Sequence, residues 1–235
     1  MAIFFLAKYT KYIYWFLPAI LFFAQAVYVF NSFEQIRFEE LIESVQAPFW
    51  FYHHQLIAGT HTNVGWYATL SLIYQIFGFS LNTPKYFLLV LYGISSLCQV
   101  LILRKFFSPV VGSIILLTLG LSPTLLTFNS QNLHLGVGLM VVPILIWLLI
   151  VLDFKKTILA KVITIVISLA SIWALLVYPP FMFYLPAVGL FFFKKISNLS
   201  LLSRLRYLIF AFFAFLMPVV FFFGYNNTME VRINS

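Results

Sequence analysis

DFKKTILAKVITIVISLASIWALLVYPP, residues 153–180, is the stretch on which the fold turns. Between the basic pair Lys155-Lys156 and the break at Pro179-Pro180, the run 160–177 is apolar almost throughout. A hydrocarbon core about 30 Å thick needs ~20 residues of helix at roughly 1.5 Å per residue. The run approaches that length and carries cations at one end and prolines at the other, the pattern of a helix that crosses a bilayer. Runs of the same kind recur at 12–30, 64–80, 86–103, 109–127, 136–152, 179–193 and 207–224. The breaks carry turn chemistry: Asn82-Thr83-Pro84, Ser108-Pro109, residues 129–132 and Ser197 to Ser200. Pro18, Pro123, Pro143, Pro186 and Pro218 fall inside runs. They predict kinks, because neighbouring helices can take up the freed carbonyls.

Composition leads to the same class. The chain is 63% hydrophobic and 9% charged, where a soluble domain carries about 25% charged residues. Too few charges remain to wet a surface. The single cysteine, Cys98, excludes an internal disulfide. A net charge of +8 would suit nucleic acid, but the basic residues sit in pairs at the ends of apolar runs: Arg104-Lys105, Lys155-Lys156, Lys194-Lys195, Arg204 and Arg206. That placement anchors helices against an anionic leaflet, so the expected partner is membrane lipid and not nucleic acid. Lys8 and Lys11 ahead of the run 12–30 resemble a signal peptide, with a weak cleavage site at Ala24-Gln25-Ala26. The run is longer than the usual 7–15-residue signal core, and more apolar sequence follows, so it reads as an uncleaved first span.

Charge also sets the orientation. If all eight runs cross, 4 Lys and Arg (8, 11, 85, 232) lie inside and 10 outside. If 64–80 stays on the outer side as a juxtamembrane or re-entrant helix, only 3 (37, 85, 232) lie outside and 11 inside. The positive-inside rule selects the second arrangement. The expectation is an all-α, polytopic transmembrane bundle of about seven spans, with outer-face juxtamembrane helices. Residues 1–235 form one transmembrane domain in the cell membrane, with the N-terminus cytoplasmic. Residues 31–63 form the first outer loop, in which Phe38, Leu41, Ile42 and Val45 oppose Glu39, Glu40 and Glu43 as an amphipathic interfacial helix.

This arrangement gathers the polar residues on the outer face. Glu39 and Glu40 are either the wet side of that helix or a base or cation ligand at the membrane surface. His53, His54 and His61 are either interfacial anchors beside Trp50 and Tyr52 or groups that bind a metal or hold a phosphate. No HExxH-like spacing occurs, so no residue is assigned as a metal ligand; a divalent cation is admitted and not required. Asn129, Asn132 and His134 lie in a polar turn that is either a helix connection or a set of amides for sugar hydroxyls. Asp153 reads as a helix-end charge, and Asn226-Asn227-Thr228 as a chance sequon.

In order, the features are a first span, Glu39-Glu40, the aromatic and histidine stretch Trp50 to His54, then His61-Thr62-Asn63-Val64-Gly65-Trp66-Tyr67 leading to Phe77-Gly78-Phe79-Ser80. A helix started by Lys85 and ending Leu103-Arg104-Lys105, Leu121-Ser122-Pro123 and the turn 128–134 follow. This order over about residues 10–155 resembles the N-terminal module of GT-C superfamily membrane glycosyltransferases, the protein mannosyltransferase-like family 39 group above all. The resemblance implies transfer of a sugar from a polyprenyl-phosphate donor on the extracytoplasmic face, in the cell envelope. It maps the family's acidic base onto Glu39, with Glu40 beside it, and puts the donor phosphate near His53, His54 or His61. Glu39 stands where the family has Asp, Thr62-Asn63 where it has Pro-Pro, and 129–134 lacks the family's acid and arginines. The family also continues with further spans, so a truncated or inactive form is among the expectations. The alternative is a non-catalytic polytopic subunit or lipid-carrier binding partner. A transporter ranks third, because the acids lie in loops and not in mid-membrane.

Overall fold

A computed structural model describes residues 16, 17, 20, 21, 23, 24, 27, 64–80, 82–120, 135–155 and 157–216. These residues are all-helical, with no strand among them. In chain order the helices are α1 (Val64–Phe77), α2 (Thr83–Phe106), α3 (Pro109–Gly120), α4 (Leu135–Val151) and α5 (Thr157–Val177). A 3-10 turn (Pro179–Phe183), α6 (Leu185–Ile196) and α7 (201–216) follow.

Local chemistry explains the boundaries. Pro84 lies in the first turn of α2, where a missing N–H costs nothing, and α2 closes as Phe107 N donates to Leu103 O at 2.8 Å. Ser108 O then accepts from Gly112 N at 2.9 Å, restarting the chain as α3 behind Pro109. Pro143 sits inside α4, which runs on through it. The run 179–193 behaves otherwise and is not one helix. Pro179 and Pro180 remove two donors, so the chain takes a 3-10 turn, and α6 starts afresh with Pro186 in its first turn. At 12 residues α6 is about 18 Å long, so a crossing at 179–196 takes the 3-10 turn as well as the helix. Here the expected kink at Pro186 is instead a helix start.

Among the described residues, two helices, α2 and α5, are long and apolar enough to cross a membrane; Pro109–Leu119 and Gly136–Val151 are apolar but shorter. The chain forms two compact units, with boundaries inside α1 between Leu72 and Ile73 and inside α4 between Trp147 and Leu148. In the first unit, Leu17 and Leu21 pack with Val100 and Leu103 of α2 and with Leu116 of α3. In the second, the 3-10 turn packs on α5 and on α6, and the buried Phe181 fills the corner.

On α2 and α5 the hydroxyl residues lie on the buried face among apolar ones, and the exposed face is rich in large apolar side chains. On α5 the buried face holds Ala160, Thr164, Ser168 and Ser171 along with isoleucines. Its exposed side chains include Ile158, Leu159, Val162, Val166 and Leu169. Two of the three hydroxyls turn back on their own helix, Thr164 Oγ1 to Ala160 O at 2.8 Å and Ser168 Oγ to Thr164 O at 3.0 Å, while Ser171 Oγ has no partner among the described residues. On α2, Ser95 and Ser96 are buried while Val90, Ile94 and Leu97 are exposed. A helix in water arranges these residue types the other way round.

Candidate functional site

Glu39, Glu40, His53, His54, His61, Asn129, Asn132 and His134 all lie outside the described residues. α1 begins at Val64, just past His61, and α4 begins at Leu135, next to His134.

The start of α1 is fixed against α5 within the second unit. Trp173 Nε1 donates to Thr69 Oγ1 at 2.8 Å, and that hydroxyl donates to Gly65 O at 2.6 Å. The hydroxyl serves as acceptor and donor at once, so both half-buried polar groups are satisfied within the protein. A Cβ on Gly65 would lie 2.6 Å from the backbone carbon of Leu176. Glycine allows the two helices to approach this closely, as small residues do at helix crossings in membranes. Trp66 and Tyr67 are buried alongside. In the stretch His61 to Tyr67, the last three residues therefore hold the helix in place.

The stretch Phe77-Gly78-Phe79-Ser80 builds a corner in the first unit. Gly78 has φ of 82°, the left-handed conformation that closes a helix, and its N–H donates to Tyr74 O at 2.9 Å. The Tyr74 and Phe79 rings stack at 4.9 Å between centroids. Ser80 accepts from Asn82 N at 3.2 Å through Oγ and from Thr83 N at 3.1 Å through its carbonyl. These bonds aim the first turn of α2. Burial pushes the Tyr74 phenol up, so it stays neutral and can act as a donor.

The corner leads to Lys85, which is only 2% exposed. From sequence it reads merely as the cation that starts a helix. A buried ammonium costs several kcal/mol unless it is paired, and Lys85 is engaged within the fold. No acid occupies the first turn of α2. A cation there opposes the helix dipole, and that misplacement is the one signal in the sequence that could have flagged it. Such a buried positive group is chemically suited to hold a carboxylate or a phosphate. Among the described residues, no three His, Cys, Asp or Glu side chains come together as a cation site.

Asp153 is a turn residue: its Oδ1 accepts from Lys155 N at 3.0 Å, and it is exposed. No family model, curated protein or solved structure matches the chain.

Proposed function

We propose that the chain is a polytopic protein of the cell membrane with about seven spans, a cytoplasmic N-terminus and α1 on the outer side. The polarity of α2 and α5 carries the membrane part of this reading. In water, exposed valine, leucine and isoleucine cost about 25 cal/mol per Å². In hydrocarbon that cost vanishes, and the hydroxyls must then be satisfied within the protein, as those of Thr164 and Ser168 are.

Within that setting the proposed activity is sugar transfer from a polyprenyl-phosphate donor on the extracytoplasmic face. It rests on the order of sequence features from Glu39-Glu40 to the turn 128–134. An acceptor hydroxyl attacks the anomeric carbon, the bond from that carbon to the phosphate oxygen breaks, and the polyprenyl phosphate leaves with the electron pair. Glu39 takes the hydroxyl proton, assisted by Glu40. His53, His54 or His61 meets the phosphate, and Asn129, Asn132 and His134 meet sugar hydroxyls. A divalent cation on the carboxylates would add charge stabilisation. The test uses reconstituted full-length chain, polyprenyl-phosphate mannose or glucose as donor, and a hydroxylated peptide or glycan acceptor. Glu39→Gln lowers transfer by about 10²- to 10⁴-fold while membrane insertion stays the same. Transfer unchanged in that variant removes Glu39 from the mechanism.

One observation favours a second reading, a non-catalytic subunit or carrier-binding protein. The turn 129–134 contains no arginine and no acid, and so lacks a bidentate phosphate clamp. A wild-type chain that retains polyprenyl phosphate yet transfers neither sugar establishes this alternative.

A further inference from the structure

We propose that one end of the second unit, where the turn after α4 meets the turn 197–200, is a docking surface for anionic phospholipid headgroups. The inference rests on the membrane part of the preceding reading and is independent of the transferase chemistry.

Side-chain contacts bring the two turns together. Lys195 Nζ lies 3.4 Å from both Ile150 O and Leu152 O, at the C-terminal end of α4. The Phe154 ring packs edge-on against Tyr207 of α7, with centroids 4.6 Å apart. The C-terminal ends of α4 and α6 and the start of α7 therefore share one end of this unit. That end carries Lys155, Lys194, Lys195 and Arg206, all exposed, and the half-buried Arg204. Arg204 Nε donates to Leu199 O at 2.7 Å, which orients the guanidinium and leaves its terminal nitrogens for an incoming anion. Asp153 is the only acid nearby on the chain, and its carboxylate is turned to the backbone N–H of Lys155. Among the described residues, no carboxylate pairs with any of these cations. Within that described part the positive charge is uncompensated.

The surroundings of the cluster select the occupant. Exposed Phe191 and Phe193 precede Lys194 directly, and exposed Leu201, Leu202 and Leu205 are interleaved with Arg204 and Arg206. A nucleic acid or soluble polyanion would match the charge and leave these apolar groups in water. A bilayer meets both, because its phosphates lie at the edge of its hydrocarbon. Arginine takes such a phosphate through paired N–H groups, and lysine takes it as a point charge. The absence of a compensating acid favours a headgroup with net negative charge over a zwitterionic one.

The test is native mass spectrometry of the full chain, released from detergent micelles holding equal phosphatidylglycerol and phosphatidylcholine. The wild type retains phosphatidylglycerol in preference. Lys194→Ala with Arg206→Ala, neither residue having a structural hydrogen bond of its own, weakens that retention about 30-fold. Lys194→Arg with Arg206→Lys preserves it, as does Arg104→Ala with Lys105→Ala at the end of α2. A melting curve in neutral detergent separates loss of binding from loss of folding. Equal retention of both lipids, or undiminished retention by the alanine pair, overturns the proposal. So does displacement of the lipid by millimolar glycerol phosphate, which would make this a site for free phosphate. None of these outcomes bears on Glu39→Gln, so this proposal and the transferase reading can fail separately.

Discussion

Gly65 sits where α1 passes α5 so closely that an added methyl would meet Leu176 at 2.6 Å from its backbone carbon and 2.7 Å from its Cβ. Backbone cannot swing aside as a side-chain tip can, so Gly65→Ala must separate the helices and strain the Trp173 to Thr69 hydrogen bond. The expected loss is about 2–3 kcal/mol. Gly78 is glycine for a different reason. Its φ is 82°, yet nothing lies within 4 Å of a Cβ placed there, so Gly78→Ala bears only the left-handed backbone penalty of roughly 1–2 kcal/mol. Thermal melts in one detergent should rank wild type above Gly78→Ala above Gly65→Ala; the reverse order would mean that α1 does not touch α5. The two glycines were not equally legible. Gly78 lies near the end of the apolar run 64–80, ahead of the break at Asn82-Thr83-Pro84, so the sequence marks a helix end close by without marking the corner itself. Gly65 depends on Leu176, far along the chain, which no local pattern reports.

At the scale of the element, α5 shows what apolar periodicity conveys and what it omits. The run 160–177 was legible because length and composition suffice to mark such a helix, and the structure extends it only to Thr157–Val177. The run 179–193 looked alike by composition, but three prolines within it remove backbone donors and split it into a 3-10 turn and a short helix. Likewise α7 begins at 201, ahead of the run 207–224, because Arg204 and Arg206 end an apolar window without ending a helix. Which face of α5 points outward was not legible, since serine and threonine mark the inside of a membrane helix and the outside of a soluble one. Val166, midway along α5 and 41% exposed, separates these cases. Val166→Lys on a lipid-facing surface costs about 2.5–3.5 kcal/mol of insertion and should convert much of the chain to a carbonate-extractable form. Undiminished insertion would show that this face meets water or another protein.

For the whole molecule, the orientation depends on one arithmetic contrast, 11 cations inside against 3 outside when residues 64–80 do not cross. The structure bears on the premise, because α1 is 14 residues long, about 21 Å, and falls short of a bilayer core. A helix of that length with Trp66 and Tyr67 buried near its start and a left-handed corner at Gly78 suits a re-entrant or juxtamembrane position. If so, the segments on either side of α1 remain on one leaflet, and every later span alternates from there. His61 and Gln131 then face the outside, and Lys155 and Asn198 face the cytoplasm. Single cysteines at those four positions, in a Cys98→Ser background, give the check. A membrane-impermeant maleimide added to intact cells should label residues 61 and 131, and should reach 155 and 198 only after permeabilisation. Labelling of 61 and 131 from opposite sides would separate the glutamate-bearing loop from the amide-rich turn, and sugar transfer by a shared outer site would then have no place to occur. Labelling of 155 from outside would instead make α1 a full span, and the lipid surface around Arg204 would face the less anionic leaflet.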